Sequence, residues 1–183
     1  MATVETLLTL EEFAGLPDDG VPRELVRGRI VEMNVPTPRH GYVCQQVARI
    51  IGNHVKSQHL GRVVSNNGGI VVGREPDTIR GADVSFYSFA RLPRGPMPEG
   101  YLSVVPEVVF EVLSQHDRWG DLLDKTGEYL KAGVEVVCVL NPRERTMHVF
   151  HADTAVDCLG EDDEFSLPRF FGDFSVAAAG FFD

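Results

Sequence analysis

Two apolar runs separated by a helix-length segment constrain this 183-residue chain more than any other feature. Residues 108–113, Val-Val-Phe-Glu-Val-Leu, and residues 134–140, Val-Glu-Val-Val-Cys-Val-Leu, are nearly continuous in the residue types that strands bury on both faces. Between them Trp119, Leu122, Leu123, Tyr129 and Leu130 recur at helical spacing, predicting a helix from about Asp117 to Ala132 with Gly133 as its stop. A strand, a helix and a second interior strand in this order make a right-handed crossover with the strands parallel.

The rest of the chain is read onto that unit. "LTLEEFAGLPDDG" reads as a short helix closed by a turn, and "RELVRGRIVEM" as a hairpin turning at Arg27–Gly28, with glycine where φ must be positive. Val43, Cys44, Val47, Ile50, Ile51 and Val55 predict an amphipathic helix from Gly41 to about Lys56. "GRVVSNNGGIVVG" reads as strand, Asn/Gly turn, strand; "ADVSFYSF" alternates as a further strand; residues 91–100, rich in proline and glycine, form a loop. "TMHVFHA" returns as a strand after Asn141–Pro142. The expectation is an α/β fold: a mixed, twisted β-sheet flanked by helices, with an N-terminal helix and β-hairpin, and residues 1–183 forming one domain.

Composition excludes several classes. No run of 18 apolar residues exists to span a membrane, and the acidic N-terminus "MATVETLLTLEEF" lacks the basic start of a signal peptide. Three scattered cysteines, Cys44, Cys138 and Cys158, match neither a disulfide framework nor a zinc motif; they read as buried, inert thiols in a reducing cytoplasm. A formal charge of −10 without a basic stripe argues against tight, non-specific nucleic-acid binding. The acid run Glu161–Glu164 reads as a solvated loop. An acidic metal site remains compatible with that charge, because the cation offsets its ligands.

Glu111, inside the first apolar run, raises the chemical question, since an ionised carboxylate is not buried without a partner. A buried arginine or lysine would answer it structurally. Asp83, in "GADVSF", is a second acid at the start of a strand, where turn chemistry is the plainer reading. Lys125 lies at the border of the helix's apolar stripe, where lysines commonly snorkel, while Asp124, Glu128 and Lys131 are expected to face water. Converging at one end of the sheet, two carboxylates suit Mg²⁺, and a lysine beside them can orient a water and offset phosphoryl charge.

At these residues the chain resembles a known family. "LTLEEFAGLPDDGVPRELVRGRIVEM", "PTPRH", "PDTIRGADVSF", "VVFEVLSQHDR" and "DLLDKTGEYLKAGVEVVCVLNP", in that order and spacing, resemble the Uma2 family, formerly a domain of unknown function and assigned as endonucleases. That family belongs to the PD-(D/E)XK superfamily. The resemblance covers nearly the whole chain and implies a restriction-endonuclease-like core that hydrolyses phosphodiesters in DNA around Mg²⁺, with Mn²⁺ as an alternative. It makes Asp83 and Glu111 metal ligands, with the Val112 carbonyl beside them. The superfamily's lysine stands two residues after the second acid, where this chain has Leu113; the resemblance moves that role to Lys125. Glu24 matches an additional N-terminal acid, and His40 a recurrent histidine that is as often a capping residue.

Departures are few. Ala82 replaces the proline before the family's Asp, and Pro76–Asp77 is a turn decoy in a polar loop. Gln115 and Cys138 also differ from the family without an assigned consequence, and His116 and Asp117 read as loop residues. Superfamily analogy further implies a homodimer that pairs two sites. Two other classes stay open: a module with this fold that binds or regulates without cutting, and a metal-dependent hydrolase of small phosphate esters.

Overall fold

The computed structural model describes residues 7–115 and 117–183, and the strand–helix–strand unit lies at its centre. β5 (Val108–Val112) and β6 (Val136–Asn141) pair in parallel, in register from Val108↔Val136 to Val112↔Leu140. The connecting helix α3 (Trp119–Ala132) ends at Gly133, whose φ of 103° lets its amide return to the last turn's carbonyls. Every other ladder described is antiparallel.

The N-terminal elements are α1 (Leu10–Ala14), closed by a Thr9/Glu12 capping box, and the hairpin of β1 (Arg23–Val26) and β2 (Arg29–Glu32). Arg27 and Gly28 both take positive φ, as a two-residue hairpin turn requires. α2 (Pro38–Ser57) precedes β3 (Gly61–Gly73) and β4 (Thr78–Ser88). β7 (Thr146–His151) and β8 (Asp157–Leu159) complete an eight-stranded sheet of order β2-β1-β4-β5-β6-β7-β8, with β3 paired to β4. β9 (Glu164–Phe165), α4 (Pro168–Phe171) and β10 (Val176–Ala177) form the tail.

Helices cover both faces of the sheet. Val43, Val47, Ile51 and Val55 of α2 pack on Val84, Phe86, Phe110, Val112, Cys138 and Leu140, joined by Phe165, Phe171 and Phe181 from the tail. Leu122 and Tyr129 of α3 pack on Val109, Val137 and Val139. Each fully buried side chain of this size contributes about 1.5–3 kcal/mol, so the two layers fix the central strands. Glu111 shares the α3 face with Val109, two residues away.

β4 is forked. β3 occupies one edge along its length, while the other edge pairs β1 at Leu25↔Ile79 and β5 only at Val84↔Phe110, Ser85↔Val109 and Phe86↔Val108. Between Ile79 and Val84 that edge has no strand partner, and the candidate site occupies the gap.

Two expectations are corrected here. "SNNGG" is not a reversal: β3 runs straight through, and Asn66 and Asn67, at φ of 66° and 54°, form a bulge between the Ser65↔Val84 and Gly68↔Ala82 pairs. Asparagine tolerates positive φ as readily in a bulge as in a turn, and here the long pairing with β4 decides the matter. Helix α2 begins at Pro38 rather than Gly41, because Thr37 caps it and proline suits its first turn.

Candidate metal and hydrolytic site

The bulge has a consequence on the opposite strand. Ala82 packs in the cluster under α3 and Val84 in the cluster under α2, although residues two apart in a regular strand share a face. The alternation breaks at Asp83, which turns toward α2. Its Oδ2 accepts the Val112 amide at 2.8 Å, taking the place of a ladder partner where β4 and β5 diverge.

Glu111 finds its partner on α3. Lys125 and Tyr129, one helical turn apart, both point down at it: Lys125 Nζ lies 3.0 Å from Oε2, and the Tyr129 hydroxyl donates to Oε1 at 2.8 Å. The ammonium also donates to the Gly81 carbonyl at 2.8 Å and lies 3.3 Å from Glu24 Oε1. Glu24 in turn accepts from the Gly81 amide at 2.9 Å and from Arg80 Nη1 at 2.8 Å. Arg80 Nε reaches Glu128 at 2.6 Å. Glu24, Asp83 and Glu111 are only 3%, 8% and 4% exposed, so these contacts are made largely out of water.

The electrostatics follow from that burial. Burial pushes the Glu111 carboxyl up to about 7, with the charge of Asp83 adding to the rise and Lys125 opposing it. Burial acts on Glu24 in the same sense, but Lys125 and Arg80 outweigh it and hold that acid below its usual range. Lys125 is desolvated too, yet Glu111, Glu24 and Asp83 together raise its pKa. Tyr129 is raised by burial and by the adjacent carboxylates, so it stays a hydrogen donor.

His40, in the first turn of α2, stands over the other side of the gap. Its Nε2 is 3.4 Å from Asp83 Oδ2, and the ring also bonds the Val112 backbone. Its burial lowers the imidazole pKa, but those contacts win and raise it overall. Cys44, one turn on, places Sγ 3.5 Å from Nδ1. A cleft of about 290 Å³ opens onto Asp83 past His40, Cys44, Ser65, Asn66 and Asn67, giving solvent a route to that carboxylate.

All six predicted positions, Glu24, His40, Asp83, Glu111, Val112 and Lys125, therefore lie around one gap in the sheet. Glu128, expected to face water, is instead partly buried against Arg80. Arg80 went unread, and Tyr129, read only as part of the apolar stripe beside Lys125, was not expected to bond Glu111; its place four residues from Lys125 on the same helix face is the signal that pointed there. Asp77 serves structure, accepting the Leu10 amide at 2.6 Å. Asp117 accepts the Ser114 amide at 2.8 Å, and His116 lies outside the described residues. All three thiols are free, but only Cys138 is fully buried; Cys44 is partly open and Cys158 exposed, correcting the expectation of three buried cysteines. Among the described residues, no helix is long and apolar enough to cross a membrane.

Comparison with known proteins agrees with this architecture. The family model Uma2, described as "Putative restriction endonuclease", matches residues 10–179. A crystal structure from Anabaena variabilis, described as a "putative nuclease belonging to DUF820", superposes with a TM-score of 0.84 at 22% identity, covering 96% of this chain and 97% of that one. At that identity the likeness establishes the fold: mixed α/β, with a twisted sheet flanked by helices. No curated protein matches the chain significantly.

Proposed function

The chain belongs to the Uma2 family, and from that premise we propose that it is an endonuclease that hydrolyses phosphodiester bonds in DNA with Mg²⁺, or Mn²⁺ in its place. The observation that carries this reading is the charge balance of the gap. Among the described residues, Glu24, Asp83, Glu111 and Glu128 face two permanent cations, Lys125 and Arg80. With every acid ionised and His40 neutral, two negative charges remain, and a divalent cation offsets that amount. Without one, Glu111 tends to hold a proton: burial raises its pKa first, and the charge of Asp83 adds to the rise.

The donor set fits a hard cation. Asp83 and Glu111 offer carboxylate oxygens and Val112 a carbonyl, and the contacts of the His40 ring with both Asp83 and Val112 support a shared site at this end of β5. When bound, such an ion supplies Lewis acidity toward a phosphoryl oxygen and toward a water. Lys125 then orients the attacking water and offsets charge developing on the phosphoryl group. Glu24 and the Gly81 carbonyl hold the ammonium on station, and Tyr129 fixes the rotamer of Glu111. A homodimer would carry two such sites for two strands.

The test is cleavage of plasmid and duplex oligonucleotides by purified protein with Mg²⁺ or Mn²⁺. Glu111→Gln and Asp83→Asn, with melting transitions recorded alongside, should abolish cutting in a folded protein; unchanged cutting would end the proposal. A module that binds without cutting is the second reading. It is favoured because Lys125 and Tyr129 engage both oxygens of Glu111 and the chain carries −10 overall. Calorimetric metal titration separates the two, and a panel of nucleotides beside DNA tests for small phosphate esters.

A further inference from the structure

We propose that His40, Cys44 and Asp83 form a second cation site, for a borderline divalent metal such as Zn²⁺, which shares Asp83 with the Mg²⁺ site and so closes it. The inhibitory half of this statement rests on the nuclease reading; the binding half does not.

His40 and Cys44 stand four residues apart on α2 and present side chains to the same side, toward the aspartate that the bulge turns out of register. One donor atom from each of the three lies within 4.8 Å of the others. Zn²⁺ bonds of about 2.0–2.3 Å at tetrahedral angles place donors about 3.3–3.6 Å apart. The His40 Nε2 to Asp83 Oδ2 separation of 3.4 Å already meets this. Cys44 Sγ sits 3.5 Å from the ring's other nitrogen and within 4.8 Å of the ligand atoms of His40 and Asp83, so a local side-chain adjustment brings the three to bonding distance of one cation.

The chemistry of the set separates it from the neighbouring oxygens. Thiolate and imidazole prefer Zn²⁺ and its kind, whereas Mg²⁺ takes hard oxygen donors. Binding breaks the Cys44 S–H bond: the electron pair goes to the metal and the proton to solvent. His40, Cys44 and Asp83 all line the cleft, which offers a cation an entry path and room for an exchangeable water. A cation held by His40 and Cys44 draws on Asp83 Oδ2 and places a second positive charge beside the Mg²⁺ site, so the two cations compete for that carboxylate.

Reduced, metal-free protein titrated with Co²⁺ is the test, Co²⁺ reporting thiolate ligation as a near-ultraviolet charge-transfer band and tetrahedral geometry as intense visible bands. One equivalent should bind, and Zn²⁺ should displace it. Loss of an outer partner alone costs a metal site about 10–100-fold, so Cys44→Ser should erase the charge-transfer band and weaken Co²⁺ binding at least about tenfold. Cys158→Ser should keep the band, although Cys158 also neighbours a histidine, His148, at 3.6 Å. Glu111→Gln should keep it as well. No band, or a band that survives Cys44→Ser, overturns the site. In the cleavage assay, Zn²⁺ should inhibit Mg²⁺-supported cutting, and the half-inhibiting concentration should rise at least about tenfold in Cys44→Ser. A band without inhibition overturns the competition for Asp83. A band with no cutting under any condition leaves the site standing and sinks the nuclease reading instead.

Discussion

Lys125→Met keeps the length of the side chain and removes the ammonium that faces Glu111 at 3.0 Å, Gly81 at 2.8 Å and Glu24 at 3.3 Å. Glu24 retains Arg80 and the Gly81 amide; Glu111 retains only the Tyr129 hydroxyl among the partners described. The cost therefore depends on whether Glu111 can take a proton. Its folded pKa of about 7 exceeds the ordinary 4.5 of a free glutamate, so its contribution is most favourable at low pH and is lost as pH rises through about 7. Removing Lys125 pushes the folded value higher still, because that cation opposes the rise. At pH 5 both proteins hold Glu111 protonated, and the variant loses only the lesser contacts, about 1–2 kcal/mol. Above pH 7 the wild type releases the proton and the variant keeps it, so the gap widens by up to about 1.4 kcal/mol per pH unit. At pH 9 it reaches about 3–5 kcal/mol, the range for breaking a buried pair. Urea unfolding in EDTA at the two pH values, followed by the single tryptophan, Trp119, measures it directly. Equal losses at pH 5 and pH 9 would refute the argument, and so would a pH-dependent gap that persists in Glu111→Gln/Lys125→Met.

Other outcomes follow from the same geometry. Because Glu111 must shed its proton to bind a cation, Mg²⁺ affinity by calorimetry should climb with pH and level off above about 7; a flat profile excludes Glu111 as a ligand. Tyr129→Phe should cost about 2 kcal/mol in urea unfolding and move that affinity profile to higher pH, since the lost hydrogen bond favours the ionised acid. Phe110→Ala, at a fully buried position between β5 and the tail, should cost about 3–5 kcal/mol. Sedimentation equilibrium should show the dimer that paired sites call for, and a monomer at all concentrations would remove that part of the proposal.

What the sequence disclosed divides along physical lines. The β5–α3–β6 unit was legible because strands buried on both faces leave an unbroken apolar signature and Gly133 marks a helix end unambiguously. Lys125 was legible because one helical period places it at the edge of the stripe. "SNNGG" was misread because bulge and turn demand the same backbone freedom, and only the pairing with β4 distinguishes them. Glu128 was misread because helical phase describes one helix alone, and Arg80 arrives from another element. The break in alternation at Asp83 had no signature in its own strand; its cause lies across the sheet.

That aspartate also does the work of a missing neighbour. By accepting the Val112 amide it finishes the edge of β5 that faces β4, beyond the last β4–β5 pair at Val84↔Phe110. A chain of this fold without any catalytic activity would still need an acceptor at that spot to keep its architecture. The persistence of an acid there, in this chain or a cousin, is therefore no proof of enzymatic life, and an alanine scan at that residue would confuse a frayed strand with a dead enzyme.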